Sequence, residues 1–246
     1  MAKILFLGMS LIFFPAAMAM AADHNFETDI IKTAQGDLVI TCIDHGTLMM
    51  SFGGKIIHID PVFQMADYTQ LPKADLILVT HEHSDHFDLK AIEKIKTGKT
   101  TIVITENVAT GVKDGIVLKN GEGKIISGVR IEAVPAYNLI HMRSPGVPYH
   151  AQGVGNGHII TFGDKRVYIA GDTENTPEMK SLRNIDIAFL PMNIPYTMTP
   201  EMVADAARAF RPKILYPYHF GQTNSQKLID LLKDEKNIEV RIRKMM

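Results

Sequence analysis

Thr80-His81-Glu82-His83-Ser84-Asp85-His86 gathers three imidazoles and the carboxylate of Asp85 directly behind the apolar run Ala74-Asp75-Leu76-Ile77-Leu78-Val79. Neutral imidazole and carboxylate are the usual protein ligands of zinc and similar divalent ions, and a tight loop at a strand end can aim several of them at one point. His81 and His83 stand two apart, so in an extended segment they project to the same side and can share an ion. Asp85 and His86 fall where the chain turns into Phe87-Asp88-Leu89-Lys90-Ala91-Ile92-Glu93-Lys94-Ile95, a polar-then-apolar pattern that predicts a helix. They can therefore face a second ion beside the first. A chance histidine cluster on a solvated loop is the competing reading, and the strand before and helix after argue against it.

Two other places repeat the pattern of an apolar strand ending in a polar side chain. Val167-Tyr168-Ile169-Ala170-Gly171-Asp172-Thr173 delivers Asp172, and Lys213-Ile214-Leu215-Tyr216-Pro217-Tyr218-His219 delivers His219. Alone, Asp172 reads as a turn or cap residue and His219 as a core histidine. Beside the first motif, both read as candidate ligands, because loops after strand ends are where sites are commonly built.

The elements that must position these residues follow from the apolar and β-branched runs. Strands are expected at 36–43, 46–52, 55–59, 76–80, 101–105, 116–118, 124–126 and 129–134, then at 158–162, 166–170, 185–190, 213–218 and 238–242. Helices are expected from Phe87, weakly over 106–112, from Pro177, over 200–210 with Thr199 as cap and Pro200 in the first turn, and over 224–233. No internal repeat is strong enough to argue from. Strands alternating with helices predict an α/β protein with two sheets face to face and helices outside.

Composition bounds the rest. Lys3 followed by the uncharged stretch from Ile4 to Ala17 and then spaced alanines has the form of a secretory signal peptide over residues 1–22, which predicts an exported, periplasmic protein. The apolar core of about 14 residues is short of the roughly 20 that span a bilayer, so no stable membrane association is expected after cleavage. Residues 23–246 are long enough for one domain, and no linker-like stretch divides them. Their 25 basic and 27 acidic residues give no reason to expect a nucleic-acid partner. The one cysteine, Cys42, lies in an apolar strand-like run and reads as a small buried hydrophobe rather than a nucleophile.

With these motifs in hand, the chain resembles the metallo-β-lactamase-fold hydrolase superfamily. His81, His83, Asp85 and His86 match its His-x-His-x-Asp-His signature, Gly171-Asp172 its later Gly-Asp, and His219 its terminal histidine. Asp60-Pro61, Pro135-Ala136-Tyr137 and Ala170-Gly171-Asp172-Thr173 look most like the branch of ascorbate-6-phosphate lactonase-like proteins and uncharacterised metal-dependent hydrolases. The resemblance implies a four-layer αββα sandwich. It also implies a first metal on His81 and His83, a second on Asp85, His86 and His219, Asp172 between them, and Asp60 as an acceptor that orients a ligand histidine. The metal expected is zinc, one or two ions, with manganese as the alternative.

One family position departs. Where related proteins carry a histidine, this chain has Asn138, whose neutral carbonyl oxygen is a weak zinc ligand. His141 and His150 lie close enough to compensate, in the glycine- and proline-rich segment 139–157 that reads as a loop over the substrate. His24, His45, His58 and His158 lack such context and read as ordinary surface or strand residues.

The expected chemistry is hydrolysis of a small ester, lactone, amide or phosphodiester by a metal-activated hydroxide. Paired cations lower the pKa of a shared water from about 16 toward 7. Asp85 would orient that water or accept its proton, and His219 would hold the second ion. Specificity falls to 138–157 and to Met192-Asn193-Ile194-Pro195-Tyr196-Thr197-Met198, and an oligomer closing the cleft is compatible with both. The alternatives are a metal-binding or sensing module with little turnover, suggested by Asn138, then a nuclease, then an oxygen-handling diiron protein.

Overall fold

The computed structural model describes residues 26–246, so the expected signal segment and His24 lie outside the described residues. The first sheet holds β1 (Glu27–Thr33), β2 (Gly36–Asp44), β3 (Thr47–Phe52), β4 (Lys55–Ile59), β5 (Leu76–Leu78), β6 (Thr101–Ile104) and β7 (Ile116–Val117), neighbours in chain order being neighbours in space. β1 to β4 pair antiparallel. From β4 to β7 the pairing is parallel. Gly53 and Gly54, with φ of 56° and 77°, close the β3–β4 hairpin, a two-residue turn of the kind that demands positive φ at both positions.

Helix α1 (Leu89–Ile95) crosses between β5 and β6, and Asp88 caps it by accepting from the Lys90 N–H. The pleat of β5 explains why its sequence is apolar throughout. Leu76 and Leu78 face the core between the sheets, whereas Ile77 and Val79 face Ala91, Ile92 and Ile95.

The second sheet runs in the order β8 (Gly123–Ile126), β9 (Val129–Ala136), β12 (Gly155–Phe162), β13 (Lys165–Ile169), β14 (Ile187–Pro191), β15 (Ile214–Tyr218) and β16 (Glu239–Val240). A small hairpin, β10 (Met142–Ser144) and β11 (Val147–Pro148), interrupts it. Here too the pairings are antiparallel as far as β13 and parallel beyond it. Helices α2 (Pro177–Lys180), α3 (Pro200–Phe210) and α4 (Ser225–Leu232) complete the αββα sandwich. Thr199 caps α3 through the Met202 N–H, and Val203, Ala204, Ala206, Ala207 and Phe210 form its buried stripe.

Several expectations shift. The helix expected over 106–112 is only a 3₁₀ turn at Val108–Thr110, with no side-chain cap bond at its start and Gly111 at its end. The final strand contracts to β16. Strand β1 was not expected, and the segment read as an open loop carries the β10–β11 hairpin. Cys42 is buried and unpaired as expected, and burial pushes its thiol up to about 12. Among the described residues no helix is long and apolar enough to cross a membrane.

The parallel strands of both sheets end on one side of the sandwich. Asp60 follows β4, the 81–86 loop follows β5, Asp172 follows β13, Asn193 follows β14 and His219 follows β15. The carboxyl ends of parallel strands are where α/β folds place their ligands.

Candidate metal centre

Asp172 stands at the centre of four imidazoles. One carboxylate oxygen lies 3.4 Å from His86 Nε2. The other lies 3.3 Å from His150 Nε2, 3.4 Å from His219 Nε2 and 4.0 Å from His81 Nε2. His83 joins through its ring, 4.7 Å from that of His81 and 4.9 Å from that of His150. Asp85, at the solvent side, lies 3.5 Å from His219 Nε2, 3.9 Å from His86 Nε2 and 3.3 Å from His45 Nε2. Ligand-capable atoms thus converge in three overlapping sets: His81, His83 and His150; His81, His86 and Asp172; and His45, Asp85, His86 and His219.

Hydrogen bonding behind these rings determines which nitrogen faces the centre. Thr80 has a single hydroxyl proton and donates it to Asp60 Oδ2 at 2.6 Å, so its contact with His81 Nδ1 at 3.0 Å must be one it accepts. His81 therefore carries its proton on Nδ1 and offers a lone pair at Nε2. His86 Nδ1 donates to Asp60 Oδ2 at 2.8 Å, with the same result. His150 Nδ1 donates to Asn138 Oδ1 at 2.8 Å, and that amide cannot be flipped, because its nitrogen donates to Glu174 Oε1 and the Tyr196 carbonyl. Three unrelated acceptors thus enforce one tautomer, the outer polar support that metal-binding histidines use.

Backbone geometry makes these approaches possible. His45, Asp60 and His219 all lie in the left-handed region, with φ of 50°, 44° and 47°. A side chain at Gly46 would put its Cβ 2.6 Å from His86 Cε1, so glycine is required where the β2–β3 turn passes the imidazole.

The site fits a divalent metal by an internal criterion. His81 Nε2, His86 Nε2, His219 Nε2 and Asp172 Oδ1 are buried without a hydrogen-bond partner, an arrangement that costs free energy unless a further group satisfies it. Electrostatics agree. Burial holds His81 and His83 below the usual histidine range, keeping their rings neutral as ligation requires. Burial opposes ionisation of Asp172, but His219, His86 and His150 outweigh it and hold the carboxyl well below its usual range. Burial acts on Asp85 the same way and is outweighed by the adjoining imidazoles of His219, His45 and His86. His86 goes the other way: burial would depress it, yet Asp172 and Asp60 raise it to about 9 in the metal-free centre.

The structure brings His81, His83, Asp85, His86, Asp172 and His219 together, and of the three candidates for the departed position only His150 joins them. Asn138 lies behind His150 as its anchor. His141 is in none of the three sets; its Nδ1 bonds Glu174 Oε1 at 2.6 Å. Two residues escaped the sequence reading. His45, read as an ordinary residue, packs its ring 3.7 Å from that of His219 and contacts Asp85; only the meeting of the β2–β3 turn with the loop after β15 reveals it. Its two nitrogens face acceptors, Asp85 and the Met246 carbonyl at 3.0 Å, and these contacts overcome burial to raise its pKa. Glu174, next in line after Gly171-Asp172-Thr173, is the second. It accepts from the N–H groups of Leu139, Ile140 and His141 and so fixes the segment that carries Asn138.

A cavity of about 500 Å³ opens over the cluster, with Arg143, Tyr149, Asn193 and Tyr196 in its wall.

Comparison with known proteins agrees with this architecture. A family model for the beta-lactamase superfamily domain matches residues 39–219. A UPF0173 metal-dependent hydrolase of Thermus thermophilus is 34% identical over 191 residues, 73% of this chain and 82% of the relative. That of Symbiobacterium thermophilum is 37% identical over 161 residues, 59% of this chain and 65%, under two thirds, of the relative. The crystal structure of a protein from Parabacteroides distasonis, assigned as a metal-dependent hydrolase, superposes with a TM-score of 0.86 at 52% identity, covering 90% of this chain and 100% of that one.

Proposed function

We propose, from the premise that the chain belongs to the beta-lactamase superfamily as a UPF0173 metal-dependent hydrolase, that it hydrolyses a small ester, lactone, amide or phosphodiester. One or two divalent ions serve it, zinc being the favoured identity for a set this rich in imidazole. The residues that would hold them are His81, His83 and His150 on one side, Asp85, His86 and His219 on the other, and Asp172 between. The observation that carries this reading is the convergence of unpartnered, buried Nε2 atoms on Asp172.

When bound, a divalent metal there supplies Lewis acidity and lowers the pKa of a coordinated water. The chain's own residues do the rest. Asp85 is the carboxylate of the cluster most open to the cavity, with 43% of its side chain exposed, and is placed to orient the attacking water or to accept its proton. His45 Nε2, 3.3 Å from Asp85 Oδ2, packs against the carboxylate and limits its direction. His219, held by its N–H bond to the His45 carbonyl, keeps the distal side of the site in place. Asn138 and Asp60 keep the imidazoles turned inward.

The alternative is a metal-binding module with little turnover, for which Asn138 was the reason; the grouping of His150 with His81 and His83 supports the hydrolase reading over it. The apolar, alanine-terminated pattern of residues 1–22 supports the further reading that the reaction takes place after export, in the periplasm. The test is Asp85→Asn. Loss of hydrolysis with the fold intact, read from the unfolding midpoint of the metal-free protein, is expected, and unchanged turnover would sink the proposed role.

A further inference from the structure

Arg143 is in the wall of the cavity, on a hairpin whose register breaks at that residue. Met142 pairs with Pro148 and Ser144 with Val147, which leaves Arg143 at the irregularity between them. Its Nη2 donates to the Tyr149 carbonyl at 3.4 Å, a long bond. Among the described residues it makes no ion pair, as Arg183 and Arg211 make none, but unlike them it lines the cavity over the cluster. A guanidinium has five N–H donors in a planar fork matched to carboxylate and phosphate, and here most of them are uncommitted. The two carboxylates lining the same cavity, Asp85 and Asp172, are turned to the histidines.

Arg143 is exposed at the mouth of the cavity, and two aromatic rings of the same wall are tied to the metal cluster. Tyr149 and Tyr196 meet edge to face, ring centroids 5.1 Å apart, in the same wall. Tyr149 immediately precedes His150, and the Tyr196 carbonyl accepts from the same Asn138 amide that orients His150. The aromatic pair is thus tied to the cluster, and Arg143 reaches the same wall through the Tyr149 carbonyl, as a recognition element must to present a scissile bond.

We propose that Arg143 is the anion-recognising residue of this site. The substrate then carries a carboxylate or phosphate that Arg143 engages, and an acyl or aryl body that lies against Tyr149 and Tyr196. This rests on the hydrolase reading of the cavity and names its substrate class.

The experiment compares metal-loaded wild type with Arg143→Gln and Arg143→Lys in two measurements. The first is kcat/KM for 4-nitrophenyl hemisuccinate against 4-nitrophenyl butyrate, esters that differ by a carboxylate. The second is the affinity for benzoate by calorimetry, which needs no turnover. The charged-to-neutral ratio is expected to fall about tenfold in Arg143→Gln, the scale of one charge-assisted hydrogen bond, and benzoate to bind about tenfold more weakly, with part of both retained in Arg143→Lys. An unchanged ratio, or equal benzoate binding in all three proteins, overturns the proposal. If neither ester is hydrolysed by any of them, the hydrolase reading has failed for such esters, and benzoate alone decides the role of Arg143.

Discussion

Asp60 reaches two imidazoles of the centre, His86 directly and His81 through the hydroxyl of Thr80. Asp60→Asn replaces one carboxylate oxygen with a donor, and metal affinity is expected to fall about 10- to 100-fold, as for other supporting partners of ligand histidines. Competition with a chromogenic chelator measures it, and an unaltered affinity would mean that tautomer control by Asp60 is unimportant. Asn138 gives a sharper contrast. Restoring the histidine expected from the family pattern, Asn138→His, removes the oxygen that accepts from His150 Nδ1 and the amide that binds Glu174. Metal content is therefore expected to fall, and a rise would show that residue 138 is a ligand position after all. At this scale the sequence was most legible where ligands follow one another along a single loop, as in 81–86. It was least legible at His45, whose meaning comes from a contact with His219 made only when two distant turns converge.

Element by element, the site depends on strand ends that stop where a close approach is needed. Gly46→Ala places a methyl group against the His86 ring, which must shift, so both metal affinity and stability are expected to drop. Thr199→Ala acts on a helix N-terminus instead. It should cost about 1 kcal/mol in urea unfolding with metal content intact, and a matching loss of metal would contradict the separation of cap from site. Strand and helix positions were readable because β5 and α3 announce themselves by run and by cap. The β10–β11 hairpin was not, since the sequence from Leu139 to Gly157 has the glycine, proline and polar content of a loop, and its two pairings are set by what Glu174 and Asn138 hold in place.

For the molecule as a whole, the two sheets repeat one scheme, antiparallel strands first and parallel strands after, although no repeat shows in the sequence. The pairing pattern is a property of backbone geometry that many apolar sequences satisfy, so the halves share a plan while only their strand ends carry chemistry. The packed sheets also bury titratable groups. Burial pushes His58 in β4 and His158 in β12 down to about 4, whereas in the unfolded chain both titrate near 6.5. Between those values the unfolded state binds more protons, so the stability present above pH 6.5 is lost as pH falls toward 4. The loss is about 3 kcal/mol per histidine at most. Urea midpoints measured from pH 7 to 4.5 should decline accordingly, and His58→Phe should flatten the decline; identical slopes in the two proteins would contradict the buried neutral state of His58.

The central claim is that imidazoles from both halves of the sandwich, His150 among them, hold the metal. Elemental analysis of the purified wild type beside His150→Ala tests it most directly. One or two divalent ions per chain in the wild type, with a clear loss in the variant, is the predicted result. Metal far below one ion per chain in the wild type, or the same content in both proteins, would contradict it.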